Sequence, residues 1–469
     1  MLLSLKAIFD TFGAAIFVPV VLFIIALILK VKAKKAFQVA VLAGIGLTGF
    51  NMLTGAFIPL IVPVVQKMVD STGVNLPIFD MGWQATAIVA YSTQVGMIFI
   101  GLALLIQTAL FLLKWTNIFM PGDLWNNYSF MVWGSMIYLV TKNMYLAIGV
   151  MIVQNLYVLL FAEVLEKRWS TYYNYPNCAL TAPHHVGGVP FALLLNWIMN
   201  KLGFYKIKLN ANALQEKLGF FGEPMTLGLI LGVALGIVGN LSQLNTLAAW
   251  GQIATVGIST AAVMTIFPKV AGIFASAFAP ITEASRKSIT SGKNKREWYL
   301  AVNDAAGYGE PNTLITGIIL IPIIVLIALI MPGNKTLPMV DLIALPFMIE
   351  VMVSTANGNI FKGVVGGAIY FALGLFICTI TAPVFTEVAA SVNITIPAAG
   401  MMITSFGILN NPTMGLLFLA FLTKNPIIIG LTVVVYFVLY FAYKMNKEKV
   451  HAFVEQQAFY GDEVLTEAK

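Results

Sequence analysis

The sequence predicts an all-α membrane protein with about eleven transmembrane helices. Hydrophobic residues make up 59% of the chain and charged residues only 10%, and the mean hydropathy is +0.88. A water-soluble core of this size cannot bury so many apolar side chains. Because about 20 helical residues cross a ~30 Å hydrocarbon layer, long charge-free stretches predict membrane spans. Eight stretches contain no Asp, Glu, Lys or Arg: 14–29, 36–65, 84–113, 143–162, 224–268, 311–334, 363–386 and 425–443.

The positions of basic residues predict how the chain is oriented in the bilayer. Lysines and arginines cluster at 30–35, 167–168, 286–296 and 444–449, beside the ends of apolar stretches. Since basic residues favour the cytoplasmic side, we expect the N-terminus outside and the C-terminus in the cytoplasm. The first basic cluster follows the first apolar stretch, which disfavours a cleaved signal peptide. We predict spans at 13–30, 36–65, 87–113, 128–141, 144–163, 225–241, 246–267, 312–331, 340–356, 363–384 and 426–443.

Two further apolar stretches, 178–200 and 396–423, are interrupted by proline and glycine, including Pro183 and Pro397. Irregular backbone is tolerated at membrane depth only where protein buries it or where it lines a wet cavity. We therefore interpret both stretches as re-entrant hairpins that flank a transport site. The alternative is an amphipathic piece on the membrane surface, which the lack of a basic face disfavours.

The order of these elements predicts two related halves. Residues 1–211 contain five spans and one hairpin, residues 212–424 repeat that order, and residues 425–469 add a last span and a cytoplasmic tail. An odd number of spans in each half places the second copy upside down in the membrane. Inverted repeats of this kind build a central site between the halves.

A Gly-Glu-Pro-x-Thr box occurs twice, with Glu223 and Glu310 directly before the proline that opens an apolar stretch. Each carboxylate either caps the start of a helix or faces a cavity that handles a polar solute. The sequence leaves both readings open, and we retain both glutamates as candidate substrate-binding residues.

The Pro183-His184-His185 triplet places two imidazoles on a glycine-rich bend. An imidazole can donate and accept hydrogen bonds and can take a proton near neutral pH, which suits a reaction at a hydroxyl group. We predict that His184 and His185 are the catalytic residues. The alternative role is packing within the membrane.

Uncharged polar side chains recur in or beside the apolar stretches and fit a neutral polyhydroxylated solute. Amides offer paired donors and acceptors, and an aromatic face packs against the C–H side of a sugar. About half of these amides are expected only to link helices. Glu350, inside the ninth predicted span, must be protonated, paired or facing a cavity. The predicted substrate-binding residues are Trp83, Gln94, Asn126, Asn127, Glu223, Asp304, Glu310, Asn357 and Asn359.

The sequence offers no pattern for a metal, cofactor or nucleic-acid site. Cys178 and Cys378 are far apart, only three histidines occur, and there is no HExxH, Walker or GxSxG motif. The net charge of +7 is explained by lysines beside the spans, which face anionic lipid. We expect no metal, no cofactor and no nucleic-acid partner.

Several motifs, in order along nearly the whole chain, resemble the galactitol-type membrane subunit, enzyme IIC, of the bacterial sugar phosphotransferase system, which is related to the ascorbate type. They are DLWN (123–126), APHH (182–185), GFFGEPMTLG (219–228), PGNKTLPMVD (332–341) and NGNIFK (357–362). The resemblance implies a homodimer in the cell membrane, with a scaffold and a substrate-carrying core that moves like an elevator. It also implies soluble partners: enzyme IIB, whose phosphocysteine phosphorylates the substrate, and enzyme IIA.

Galactitol is the leading substrate that the resemblance implies, with other hexitols, pentitols or related sugars as alternatives. The chain itself is not expected to be phosphorylated, because it has no IIA or IIB domain. Two other classes of function stay open at this point: an ion-coupled secondary transporter of a polyol or sugar, and a membrane scaffold that binds no solute.

Overall fold

The computed structural model describes residues 30–70, 76–291, 296–394, 396 and 400–461, with scattered residues between 16 and 28. Eight of the 18 residues of the first predicted span, 13–30, lie outside the described residues, as do Pro397 and residues 292–295 of the basic cluster 286–296. The described chain is mainly helical, in agreement with the composition.

Most of the longer helices follow the charge-free stretches, but Leu247–Ser291 continues beyond the predicted span 246–267 through charged residues that begin at Lys269. The predicted fourth span, 128–141, is the helix Tyr128–Thr141, and the run 224–268 divides into two helices near residue 240, as its polar middle predicted. Helices of ten or more residues are Ala33–Asp70, Trp83–Ser92, Gln94–Leu112, Tyr128–Thr141, Met144–Tyr172, Val189–Lys201, Pro224–Gly239, Leu247–Ser291, Pro311–Ile330, Ile360–Ser391, Pro412–Leu422, Pro426–Met445 and Lys447–Ala458.

Six helical segments among the described residues are long and apolar enough to cross a membrane, which makes this a multi-pass membrane protein. They are Gln94–Leu112, Met144–Tyr172, Leu247–Ile266, Pro311–Ile330, Ile360–Ser391 and Pro426–Met445. The total of eleven spans stays a prediction.

Two predicted spans are not single helices. The third is divided at Thr93, where the chain is extended and the side chain caps the next helix. The ninth, 340–356, is a 3-10 turn Val340–Ala344 followed by the short helices Leu345–Met348 and Glu350–Thr355. Pro346 lies inside this apolar segment, and proline lacks the N–H that a continuous helix would use.

The structure also contains two small parallel sheets that an all-α prediction does not include. Their strands are β1 (Ile78–Asp80), β2 (Ile118–Phe119), β3 (Cys178–Leu180), β4 (Tyr299–Val302), β5 (Thr336–Leu337) and β6 (Met402–Thr404). One sheet has the order β5-β1-β6 and the other has the order β2-β4-β3. In each sheet, both flanking strands are separated from the central strand by more than 100 residues of sequence.

Three helices pack closely because one of them carries glycines at every fourth position. Gly228, Gly232 and Gly236 on Pro224–Gly239 face Leu247–Ser291, where a Cβ on Gly228 would lie 2.8 Å from the Cα of Ala261. Small residues at this spacing let membrane helices approach closely. The helix Ala33–Asp70 packs against the same pair.

Both interrupted stretches have the same local order. Residues 178–200 form β3, the one-turn helix Pro183–Val186 and then Val189–Lys201, and residues 402–422 form β6, the one-turn helix Phe406–Leu409 and then Pro412–Leu422. The interruption of both stretches is confirmed. In each case a strand leads to a short helix whose side chains lie at the carboxyl end of a sheet.

Candidate functional site

The carboxyl ends of the sheet β2-β4-β3 bring three distant segments together. Because the strands are parallel, the residues that follow them lie at one edge. The 3-10 helix Met120–Asn127 follows β2, Asn303 and Asp304 follow β4, and the Pro183–Val186 helix follows β3. Pro183 opens that helix at its first position, and it ends at Gly187, which fixes the two histidines on a single turn.

Asp304 and the two histidines form the centre of this edge. Oδ2 of Asp304 lies 2.9 Å from Nε2 of His185 and 3.3 Å from Nε2 of His184. The histidine side chains are 1% and 5% exposed, whereas that of Asp304 is 15% exposed. The carboxylate is therefore the member of the cluster that a small solute reaches most easily.

Asn126 joins this cluster from the β2 side. Its Nδ2 donates to Asp123 Oδ2 at 2.8 Å and lies 3.4 Å from Asp304 Oδ1. Of the residues predicted from the sequence, the structure thus brings together His184, His185, Asp304 and Asn126. Asp123 was not among the predicted site residues, although it stands in the same DLWN element as Asn126.

The second interrupted stretch holds the histidine turn in place. Asn411 Nδ2 donates to the carbonyl oxygen of His184 at 3.1 Å, and Thr413 Oγ1 donates to that of Gly187 at 2.7 Å. The neighbouring Asn410 is 1% exposed, and its side-chain amide has no hydrogen-bond partner among the described residues. A buried amide without a partner is uncommon, and Asn410 directly precedes Asn411, which contacts the histidine turn.

Glu310 lies in a separate polar group at the start of the helix Pro311–Ile330. Its Oε2 accepts from the backbone N–H of Thr313 at 2.8 Å, and its Oε1 accepts from Asn312 Nδ2 at 2.6 Å. Glu310 is therefore a helix cap, one of the two readings that the sequence left open. Glu223 holds the equivalent position before Pro224 but makes no side-chain capping bond.

Asn357 and Asn359 lie in the turn that follows Glu350–Thr355. Asn357 Oδ1 accepts from Arg168 at 3.1 Å, while Asn359 caps the helix Ile360–Ser391 and donates to the carbonyl oxygen of Ile207 at 2.6 Å. These contacts tie loops together. None of the hydrogen bonds found among the described residues links either amide to the histidine cluster.

The remaining predicted residues lie apart from the histidine cluster in their described contacts. Asn127 accepts from Gln107 Nε2 at 2.7 Å, Gln94 is exposed, and the backbone N–H of Trp83 donates to Asp341 at 2.9 Å. Trp83 follows β1, so it stands at the corresponding edge of the other sheet.

Glu350 is fully buried behind the Asp304 segment. Its Oε2 accepts from Trp169 Nε1 at 3.2 Å, and Oε1 has no hydrogen-bond partner among the described residues. A Cβ on Gly307, three residues after Asp304, would lie only 2.3 Å from this carboxyl group. A larger residue at position 307 would displace the Glu350 carboxyl group.

His184, His185 and Asp304 are also the group of described residues whose ligand atoms could hold a metal ion, since these atoms lie within 4.8 Å of one another. The same distances are those of two ordinary hydrogen bonds to one carboxylate. Metal-binding histidines almost always donate their second ring nitrogen to a partner, and the Nδ1 atoms of both rings lack one among the described residues. The arrangement favours hydroxyl chemistry over metal binding.

Comparison with known proteins decides the family. A family model described as "PTS system sugar-specific permease component" matches residues 7–400. The chain belongs to this permease family. It is 27% identical over 416 residues, covering 88% of this chain and 90% of the relative, to the PTS system galactitol-specific EIIC component of Escherichia coli, in both strain K12 and O157:H7. It is 28% identical over 378 residues, 80% of this chain and 85% of the relative, to a putative permease IIC component of strain K12. The resemblance seen in the motifs of this sugar permease is therefore confirmed.

Proposed function

We propose that this permease carries a sugar alcohol, with galactitol as the leading candidate, and that a separate phosphocysteine IIB subunit phosphorylates it. The observation that carries the proposal is the group of one carboxylate and two imidazoles at a sheet edge, within a family of sugar-specific permeases. The galactitol-specific relative supports the choice of substrate.

The chemistry requires a base next to a substrate hydroxyl. When IIB donates its phosphoryl group, the phosphorus–sulfur bond breaks and a phosphorus–oxygen bond to the substrate forms, while the hydroxyl loses its proton. His185 and His184 can take that proton, and Asp304 stabilises the imidazolium that results. Asp304 and Asn126 orient the hydroxyl before transfer, and IIA recharges IIB. The phosphate group then keeps the product inside the cell.

The sheets support the proposal of two inverted halves, 1–211 and 212–424. Strands β1 to β3 come from the first half and β4 to β6 from the second, and each sheet places the first strand of one half between the second and third strands of the other. Exchange of the halves would convert one sheet into the other. In this arrangement both interrupted stretches are re-entrant, their sheets stand near opposite membrane surfaces, and the site lies between them near the bilayer centre.

Movement of this central unit against a scaffold would give alternating access of the elevator type. The close-packed group of Ala33–Asp70, Pro224–Gly239 and Leu247–Ser291 is the scaffold candidate. The lipid-facing part of such a scaffold offers the surface for a homodimer. With the N-terminus outside and the C-terminus in the cytoplasm, β2, β3 and β4 begin at the cytoplasmic surface, where IIB arrives.

The test uses membrane vesicles that contain the permease. With purified IIA, IIB and a phosphoryl donor, galactitol added to one side should accumulate on the other as galactitol phosphate. Accumulation of unmodified galactitol under a proton gradient, without any donor, would instead identify an ion-coupled transporter. If no polyol raises the melting temperature, the protein binds none of them, and the alternative of a membrane scaffold is favoured.

Alanine variants of His184 and His185 test the site itself. We expect each variant to lose phosphorylation while its melting temperature changes little. His451, on the C-terminal helix Lys447–Ala458, provides the matched control, since it is equally buried but far along the chain from the cluster. Unchanged phosphorylation by both variants would assign the two histidines to packing.

A further inference from the structure

The two sheets end in corresponding pairs of carboxylates. In each pair one acid belongs to the central strand, as its last residue or two residues beyond its end, and the other lies four residues beyond a flanking strand. Asp80 ends β1 and Asp341 follows β5, while Asp304 follows β4 and Asp123 follows β2. Both Asp123 and Asp341 precede a leucine and stand in a 3-10 turn.

The pair on the sheet β5-β1-β6 is closed by the protein itself. Both side chains are at most 1% exposed. Asp341 accepts from the Ser405 hydroxyl at 2.7 Å and from the backbone N–H groups of Trp83 and Gly407 at 2.9 and 2.6 Å. Asp80 accepts four backbone N–H groups, from Gly82, Met339, Asp341 and Phe406, at 2.8 to 3.0 Å. These bonds hold three segments together and leave no oxygen without a donor.

The pair on the other sheet is open. Asp123 is 1% exposed, and its Oδ2 accepts from Asn126, but its Oδ1 has no hydrogen-bond partner among the described residues. Thr181 follows β3 as Ser405 follows β6, and the side chains of Thr181 and Asn303 lie near the Asp123 carboxyl group, but neither meets the geometry of a full hydrogen bond to Oδ1. A buried carboxylate oxygen is rarely left without a donor, because each such group costs free energy.

We propose that Oδ1 of Asp123 accepts a hydrogen bond from a substrate hydroxyl, so that Asp123 is a substrate-binding residue beside the histidine cluster. This inference rests on the proposed function. The amide of Asn126 bridges Asp123 and Asp304, so the two acids lie one side chain apart. A polyol can therefore offer one hydroxyl to Asp304 and another to Asp123. The closed pair, in contrast, leaves no carboxylate oxygen of the other sheet edge without a donor.

The test compares Asp123→Asn with Asp341→Asn, which makes the same change at the corresponding position. Binding of galactitol to the detergent-purified permease is measured by calorimetry, and folding by the melting temperature. We expect Asp123→Asn to weaken binding about tenfold to a hundredfold, the range for a hydrogen bond to a charged group, with a nearly unchanged melting temperature. Asp341→Asn should lower the melting temperature.

Monodeoxy galactitols identify the hydroxyl that Asp123 contacts. One analogue should bind the wild-type protein more weakly than galactitol does, and the two should bind Asp123→Asn equally. If Asp123→Asn melts early, Asp123→Ser replaces it in both measurements. If the variant binds galactitol and every analogue with the affinity of the wild-type protein, the role of Asp123 is refuted while the proposed function stands. If the wild-type protein binds no hexitol or pentitol, the proposed function fails first.

Discussion

Replacement of Asp304 by asparagine tests the centre of the site most directly. The change keeps the size of the side chain but removes the charge that faces His184 and His185 at 3.3 and 2.9 Å. Both imidazoles contact the same oxygen, Oδ2 of Asp304. An asparagine whose amide oxygen takes that position keeps both contacts, but as hydrogen bonds to a neutral acceptor instead of a carboxylate.

The expected loss follows from these two bonds. A hydrogen bond to a charged group contributes about 1.5–3 kcal/mol, and the imidazolium formed during transfer also loses its counter-charge. We expect a total of about 2–4 kcal/mol, which corresponds to a roughly 30- to 1,000-fold lower kcat/KM for galactitol phosphorylation. The change should appear in kcat as well as KM, because the charge acts on the transition state.

The assay is donor-dependent phosphorylation of galactitol in vesicles, with kcat and KM measured separately. Glu387→Gln is the control, since Glu387 is an exposed glutamate on the helix Ile360–Ser391 and lies far along the chain from the histidine cluster. It should leave the kinetics unchanged. An Asp304→Asn variant with the wild-type kcat/KM would show that this carboxylate takes no part in the reaction.

Three further predictions concern the surroundings of the site. Gly187→Ala places a Cβ 2.5 Å from the Asn411 amide, so we expect about 1–3 kcal/mol of destabilisation and a lower melting temperature. An unchanged melting temperature would mean that the turn moves to accommodate the methyl group at no cost. Lys362→Met removes the ammonium group that donates to the side-chain oxygens of Asn196 and Asn200 at 2.9 Å. Because Asn200 in turn donates to Gln457 in the C-terminal helix, hydrogen exchange in that helix should become faster. The exposed Lys449→Met variant is the control and should leave the exchange unchanged. Burial, together with the nearby charges of Lys447 and Lys167, lowers the pKa of His451 to about 4. Because the folded pKa lies below the ordinary value of about 6.5, the helix should loosen as pH falls from about 6.5 towards 4, and His451→Gln should remove this pH dependence of its hydrogen exchange.

The sequence was sufficient for the membrane class, for most long helices and for four members of the site. Proline and glycine around His184 and His185 predicted a bend because these residues act locally on the backbone. The family relationship was also readable, since motifs such as DLWN and APHH keep their order along the chain.

The sheets could not be predicted because strands of two to four residues inside apolar stretches show no periodic pattern. For the same reason Asp123 was missed, since its relation to Asp304 exists only when β2 lies beside β4. Glu310 was ambiguous because a helix cap and a ligand use the same carboxylate. Only the contact with the backbone N–H of Thr313 shows that it caps the helix.

Because strands from the two halves alternate in each sheet, neither sheet can form until most of the chain has been synthesised. Asp80 cannot form its hydrogen bond with the backbone N–H of Phe406 until the ribosome has added 326 further residues. At about 5–20 residues per second, the ribosome needs roughly 16–65 s to reach it. During that interval Asp80 lacks one of its final hydrogen-bond donors. Insertion of the earlier helices therefore precedes completion of the sheet β5-β1-β6. A product truncated before β6 would lack both the Phe406 donor and one of the two strands that flank β1.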